Sequence, residues 1–454
     1  MEERVLQLIE IKKFGELKFL LSEMQPADIA AIYEQVEKRD IPVIFRLLPK
    51  ELAAEVFVEM ESDMKQLLIE AFSDKELRDV MDELFMDDTV DIIDEMPASV
   101  AKRILRQTDA NTRRMINQLL AYPDDSAGSI MTTEYIDLKK HMTVDDAFDR
   151  IRKIGIDTET VYSCYVTDRS RHLIGTISLR DLLLNPKNKI IGDLMDENII
   201  YVNTLDDKEE VAGLFDRYDM LALPVVDKEK RLVGIITVDD AIDVIQEEAS
   251  EDIEKMAAIL PSERTYLKTG VFETFKSRIP WLLFLMISAT VTGAIITSFE
   301  VKLSECLALV AFIPMLMGTG GNSGSQSSVT VIRALSLGDI EFKDIFKVIS
   351  KELRVAVLCG VVLGTINLIK LYLIDFLWLK SFDAGNEVAE MFTVCFTLVL
   401  VVIVAKLVGS TLPIIAKKLG FDPAVMASPL VTTILDAVSL LIYFGIASAL
   451  LISI

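Results

Sequence analysis

The segment IPWLLFLMISATVTGAIITSF (279–299) runs 21 residues without a charge. A helix of that length spans the ~30 Å hydrocarbon core of a bilayer. Inside lipid every backbone N–H and C=O must find its partner within the segment, so a helix is the structure expected here. Further segments of the same kind cover 306–332, which is uncharged but interrupted by Pro and Gly, then 355–369, 391–416 and 424 to about 450. Five membrane helices are predicted, an odd number that places the two ends of the chain on opposite sides. Lys and Arg decide which side is which. Arg333, Lys343, Lys347, Lys351 and Arg354 fall between the second and third segments, and Lys417 and Lys418 precede the fifth. The other connections lean acidic, so the residues before the first span are expected in the cytosol.

Charge separates the two parts of the chain. From Val271 onward 13 acidic residues balance 13 basic ones, whereas the first 270 residues hold 57 acids against 34 bases, a net of −23. Such a field repels nucleic acid and anionic membrane surfaces and attracts cations. Cys164, Cys306, Cys359 and Cys395 show no CxxC spacing, and His141 and His172 are the only histidines. Neither a disulfide framework nor a zinc site is indicated. The opening MEERVLQLIEIKK lacks an apolar core, so no cleaved signal peptide is expected.

Residues 1–126 read as helix after helix, with apolar residues at i, i+3, i+4 spacing in ELAAEVFVEM and DDTVDIIDEM. MQPADIA, LPKELA and MPASVA each place a Pro at a first helical turn, where its missing N–H is harmless. An all-α superhelical N-domain is expected. Over 127–250 the texture changes and a repeat appears: HLIGTISLRDLL (172–183) matches RLVGIITVDDAI (231–242), and IMT (130–132) answers LMD (194–196). Each copy reads as strand, helix, two strands and a helix. This pattern, with LPVVD…LVGIITVDD, resembles a tandem pair of α+β cystathionine-beta-synthase (CBS) domains. The resemblance implies a regulatory module that binds adenine nucleotides or ions and often dimerises. It also implies that Arg180 and Asp181, after GTISL, can meet the ribose of a nucleotide such as ATP; an ordinary first-turn Asp favoured by the helix dipole is the alternative. A charged stretch (251–272) is expected to form a linking helix to the five-helix transmembrane part (273–454).

Two membrane motifs carry polar chemistry. FIPMLMGTGGNSGSQSSVTVIRAL holds Gly318, Gly320, Gly321 and Gly324 with Asn322, Ser323, Ser325, Gln326 and Ser327. It lacks the GK[ST] of a phosphate loop, which argues against a nucleotide-driven pump. Small residues for tight helix packing account for the glycines but not for the polar group. DPAVMASPLVTTILDAVSL places Asp436 four residues after Thr432 and seven after Pro429, so all three share a face. Pro429 is expected to break this helix, with Ser428 and Thr432 on the turns nearby. A carboxylate at mid-bilayer depth costs about 2.5 to 3.5 kcal/mol on insertion scales, so such residues face a bundle interior or a water path. A structural ion pair with Lys406 is one reading of Asp436; an ion-binding pore residue is the other. Oxygen-only ligands favour a hard cation such as Mg²⁺, which keeps its waters and accepts one or two carboxylates. A homodimer would present two copies of Asp436 to one ion.

From end to end the order of domains, with GTGGNSGSQSS and DPAVMASPLVTTILDAVSLLIYF, resembles the MgtE family of magnesium transporters. The resemblance implies a pore on a dimer axis between the second and fifth membrane helices. It carries Gly318, Gly321, Asn322 and Thr432 as pore-lining residues and Asp436 as the residue that recognises hydrated Mg²⁺, with Ser428 where family members can have Asn. The soluble acids Glu55, Asp87, Asp88, Asp91, Asp207, Glu209, Glu210, Asp219, Asp239, Asp240, Asp243, Glu247, Glu248, Glu251 and Asp252 are candidate regulatory metal ligands. Like charges facing each other separate unless a cation intervenes, so cytosolic Mg²⁺ is expected to draw them together and close the pore. The expectation is therefore a dimeric, non-enzymatic Mg²⁺ channel-like transporter of the cell membrane, with Mg²⁺ and ATP as candidate regulatory ligands and no nucleic-acid partner. A CBS-containing membrane sensor without transport and a CBS-regulated anion transporter are the alternatives.

Overall fold

Short amphipathic segments bounded by prolines fold as short helices, because each apolar stripe is buried only against its neighbours. In the computed structural model, which describes residues 2–262, 266–267, 269–299, 307–379, 387–426 and 428–450, ten such helices run from α1 (Glu2–Glu10) to α10 (Ala110–Leu119). Pro26 opens α3 (Pro26–Tyr33), and Pro49 and Pro97 are the N-caps of α5 (Lys50–Val58) and α9 (Ala98–Gln107). Phe45, Phe57 and Phe72 meet at the centre with ring centroids 5.3 to 6.4 Å apart.

The CBS repeat forms two three-stranded sheets of the same design. Strand β1 (Asp137–Lys139) runs parallel to β2 (Ser163–Thr167), which is antiparallel to β3 (Leu173–Ser178). In the second copy β4 (Val202–Asn203), β5 (Ala222–Val226) and β6 (Leu232–Thr237) repeat this pairing. The helices are α11 (Val144–Ile154) and α12 (Leu179–Leu184), then α13 (Lys208–Tyr218) and α14 (Val238–Met256).

The copies are joined reciprocally. Leu173 N–H donates to Lys230 O at 3.1 Å, and Leu232 N–H donates to Arg171 O at 3.0 Å. The lead-in segments are exchanged: Met131 of IMT lies over Gly234 of the second copy, and Met195 of LMD lies over Gly175 of the first. A Cβ on Gly234 would sit 2.7 Å from Thr132 O, and one on Gly175 2.6 Å from Met195 Sδ. This is why IG and VG recur with IMT and LMD. The core of the N-domain continues into the second copy through Ala127, Met131, Val211, Phe215 and Val244.

Helix α14 begins in this soluble unit, Met1–Gln246, and its residues from Glu247 on belong to the second unit, Glu247–Ile454. Of the stretch expected as a linking helix (251–272), residues 263–265 and 268 lie outside the described residues, and its first part, 251–256, is the end of α14. It stops at Met256, where Ala258 takes a left-handed φ of +55° and Pro261 follows.

In the second unit α15 (Val271–Ser298), α17 (Ile345–Lys370, extended by a π-turn to Phe376), α18 (Glu387–Lys418) and α19 (Ser428–Leu450, preceded by the 3-10 turn Pro423–Met426) account for four helices long and apolar enough to cross a membrane among the described residues. The expected second span is a helix too, α16 (Ile313–Ser336), but its glycines and hydroxyls keep it out of that set by composition. It is buried by protein instead: Gly320, Ser323, Gly324, Ser327 and Ser328 are all inside. Gly324 and Gly409 bring the backbones of α16 and α18 into contact, since a Cβ on Gly409 would lie 2.2 Å from Gly324 O. Pro429 falls in the first turn of α19, where it starts the helix rather than breaking it.

Adding one methyl at Gly234 meets a backbone oxygen that has nowhere to move. Gly234→Ala is expected to cost about 1 to 3 kcal/mol, the usual penalty for overpacking. Thermal unfolding of residues 1–246, followed by circular dichroism, should show the melting temperature falling by several degrees.

Candidate functional site

On α16, Gly318 and Gly321 point one way while Gly320 and Gly324 point the other. The second pair is consumed by packing: a Cβ on Gly320 would meet Ser439 Oγ at 2.6 Å, and one on Gly324 would meet Leu435 Cδ1 at 2.0 Å. Gly318 has open space before it. It opens on a cavity of about 450 Å³ lined by Ile313, Pro314, Met317, Gly318, Gly321, Asn322, Thr432 and Asp436. Five positions singled out from sequence, Gly318, Gly321, Asn322, Thr432 and Asp436, are thus brought to one place by α16 and α19. The side chain of Ser428 lies outside the described residues.

Thr432 and Thr433 both donate their hydroxyl hydrogens to Pro429 O at 2.9 Å, which leaves the Thr432 oxygen an acceptor toward the cavity. Asp436 is half-buried, and among the described residues its carboxylate has no hydrogen-bond or ion-pair partner. The structural ion pair with Lys406 is not formed: Lys406 Nζ donates to Ser327 Oγ at 3.3 Å. Among the described residues no three His, Cys, Asp or Glu side chains are placed to hold a metal ion directly. One carboxylate, an amide and a hydroxyl around a space this large suit a cation that retains its hydration shell.

A second gathering of acids lies in the soluble unit, where α8 (Met86–Glu95) meets the start of α14. Asp87 is 6% exposed, and burial, with Asp240 and Glu159 beside it, holds its carboxyl well above the ordinary range. Burial and like charges also push Asp91 up to about 7 and Asp88 and Asp240 up to about 6. Asp240 accepts from the Thr237 hydroxyl at 2.6 Å, which fixes it at the head of α14. Glu159, between α11 and β2, is pushed up to about 8 by burial and by Asp88, Asp239 and Asp240. Sequence reading missed it, because no motif marks IDTETV. Lys65, itself buried, is the base that opposes Asp88 and Asp91. A buried set of acids with so little compensating positive charge suits a cation.

The other candidates fall elsewhere. Glu55 is exposed on α5, and Glu59, one turn later, is the residue whose charge acts on Asp88. Asp207 caps α13 by accepting from the N–H groups of Glu209 at 2.9 Å and Glu210 at 3.4 Å. Asp219 closes that helix in a left-handed conformation with φ +51°. Arg180 and Asp181 are exposed, and Asp181 is engaged with the N-cap Ser178, whose hydroxyl donates to it at 2.5 Å. Asp243 is raised by burial and by Asp239.

Within the second unit, the end of α14 adjoins the turn before α19. Lys255 Nζ bridges Glu251 at 2.6 Å and Asp422 at 2.7 Å. Burial alone would lower the Lys255 pKa, but these two carboxylates raise it. Asp252 accepts from Ser336 Oγ at 3.3 Å and is raised by burial and by Asp422. Glu248 lies half-buried one turn earlier.

Fold and family models together define a CBS-containing integral membrane transporter for divalent cations. Family models match in three places: the MgtE intracellular N domain over 24–125, the CBS domain over 127–187 and 191–247, and the divalent cation transporter MgtE over 313–446. The chain is 36% identical to the magnesium transporter MgtE of Thermus thermophilus over 99% of both chains. It is 34% identical to that of Bacillus subtilis over 98% of this chain and 96% of the other. A crystal structure of the cytosolic domain of the Mg²⁺ channel MgtE in complex with ATP aligns over 54% of this chain and all of its own, with TM-score 0.52 and 34% identity. The chain belongs to the MgtE family of magnesium transporters, which is not a family of enzymes.

Acids held above their ordinary pKa favour the folded state most when protonated. Their contribution is present at low pH and is lost as pH rises through the folded values, here about 6 to 8. Without divalent ions the soluble part should therefore melt at a higher temperature at pH 6 than at pH 8.5. Saturating Mg²⁺ should shrink that difference, as differential scanning fluorimetry would show.

Proposed function

We propose that this protein imports Mg²⁺ down its electrochemical gradient through a channel-like path in the plasma membrane, as a homodimer with its N-terminus in the cytosol. The unpartnered Asp436 carboxylate in a cavity lined by glycines, Asn322 and Thr432 carries this reading. Two copies across a two-fold axis supply two carboxylates to one hydrated ion, and the names of the relatives support Mg²⁺ as that ion. Neither alternative is favoured. A sensor that conducts nothing has no use for this cavity, and an anion path is opposed by Asp436.

Closure is assigned to cytosolic Mg²⁺. Asp87, Asp88, Asp91, Glu159 and Asp240 repel one another until a cation joins them, and α14 carries Asp240 at its head and Glu251 and Asp252 at its end. Mg²⁺ binding at the head would bias the position of the end, next to the turn that starts α19. ATP is proposed as a regulatory ligand of the CBS pair, with Arg180 and Asp181 as contacts, on the strength of the ATP complex of a related cytosolic domain.

Asp436→Ala is expected to lower Mg²⁺ uptake by about tenfold or more, the effect of losing a binding carboxylate worth at least ~1.4 kcal/mol. Growth of Mg²⁺-import-deficient cells carrying this variant should not be rescued; full rescue would remove Asp436 from the path. For the gate, limited proteolysis of 257–270 should slow as Mg²⁺ rises to millimolar levels. In Asp91→Asn/Asp240→Asn that protection should no longer depend on Mg²⁺.

A further inference from the structure

Lys406 is a buried ammonium in the middle of a membrane-crossing helix, 5% exposed, and it lies outside the cavity. It donates to Ser327 Oγ of α16 at 3.3 Å, and the Ser327 hydroxyl, 2% exposed, donates in turn to Glu352 Oε2 of α17 at 2.6 Å. Among the described residues Ser327 is the partner of both charges. A Ser hydroxyl has one hydrogen to give and lone pairs to receive, so it fits between an ammonium and a carboxylate in one orientation only.

Lys406 falls within a membrane-crossing segment, where an ionisable group is expensive and is retained where it does something specific, while Glu352 lies just before the apolar stretch of α17. These three do not bind the cargo, because Ser327 lies nine residues after Gly318, about two and a half turns, on the side of α16 away from the cavity. They join α16, α17 and α18 at one level. Between its apolar ends, where Ile313, Leu316, Val331, Ile332 and Leu335 are buried, the middle of the buried face of α16 from Gly320 to Ser328 is glycine and serine alone, which lets the helix approach its neighbours but offers little shape at that level to stop it turning about its own axis. Gly320, Gly324 and Ser328 fix distance. A directional hydrogen-bond chain fixes rotation.

We propose that Lys406, Ser327 and Glu352 form a positioning network that sets the rotation of α16, and so determines which of its groups, Gly318, Gly321 and Asn322, border the ion cavity. The proposal rests on the reading of that cavity as the Mg²⁺ path. Its consequence is discrimination between ions, because a small turn of α16 changes the width of the cavity and the reach of Asn322 without altering Asp436.

The test uses the full chain in proteoliposomes, with Mg²⁺ and Mn²⁺ influx measured separately. Ser327→Ala and Lys406→Met should each lower Mg²⁺ influx by about fivefold and shift the Mg²⁺-to-Mn²⁺ ratio, the size of effect carried by coupled side chains remote from a ligand. Lys406→Arg, which keeps the charge and a donor, should recover much of both. A loss of influx with the wild-type ion ratio would make the network merely structural and overturn the proposal, as would unchanged influx in both variants. If Lys406→Met fails to insert, Ser327→Ala, which removes a single oxygen, decides the matter. Asp436→Ala runs beside them: retained influx there overturns the cavity reading, whereas its loss with normal Ser327→Ala and Lys406→Met overturns the network alone.

Discussion

The membrane unit depends on the contact between Gly324 and Gly409. Helix α16 holds too many glycines and hydroxyls to be stable against lipid, and it stays at membrane depth because protein covers it. That cover requires α18 to approach until backbone meets backbone, which a side chain at either glycine would prevent. With α16 held there, its opposite side is free to border a space that α19 completes with Thr432 and Asp436. The polar cavity and the small-residue packing surface are two sides of one helix.

The soluble unit rests on a comparable close approach. Met131 and Met195 each cover a glycine of the other CBS copy, so neither copy completes its core alone. The shared core then extends to the N-domain and places α8 against the head of α14, where Asp87, Asp88, Asp91, Glu159 and Asp240 are brought together. The same apolar burial that stabilises the unit thus forces like charges into proximity. This makes the region sensitive to protons and cations. A surface spread of the same acids would be screened and indifferent.

Much of this organisation is legible in the residues. The helical N-domain, the tandem repeat and the uncharged segments each carry a period or a length that only one kind of element satisfies. Asp436 is legible as well, since a carboxylate in an apolar run has few bland explanations, and i, i+4 spacing placed Thr432 beside it. The acids were harder to sort. Asp207 and Asp219 look like ligands in a list of acids, yet the chain uses them to start and stop α13. Glu159 looks like nothing and lies in the centre of the cluster. Local sequence does not distinguish an acid that caps a helix from one that faces another domain, because both are polar residues near a helix end.

The sequence by itself determined which segments are long and apolar enough to cross a membrane, which copies pair, and that one carboxylate must face something other than hydrocarbon, because each follows from length, periodicity or the cost of burying charge. Only the tertiary structure decided that Lys406 turns away from Asp436 toward Ser327, that Gly318 is the glycine of α16 with open space before it, and that Glu159 joins the acids of α8 and α14. These depend on how helices are rotated against one another and on which distant residues meet. Rotation is fixed by packing between elements, and no single segment contains it.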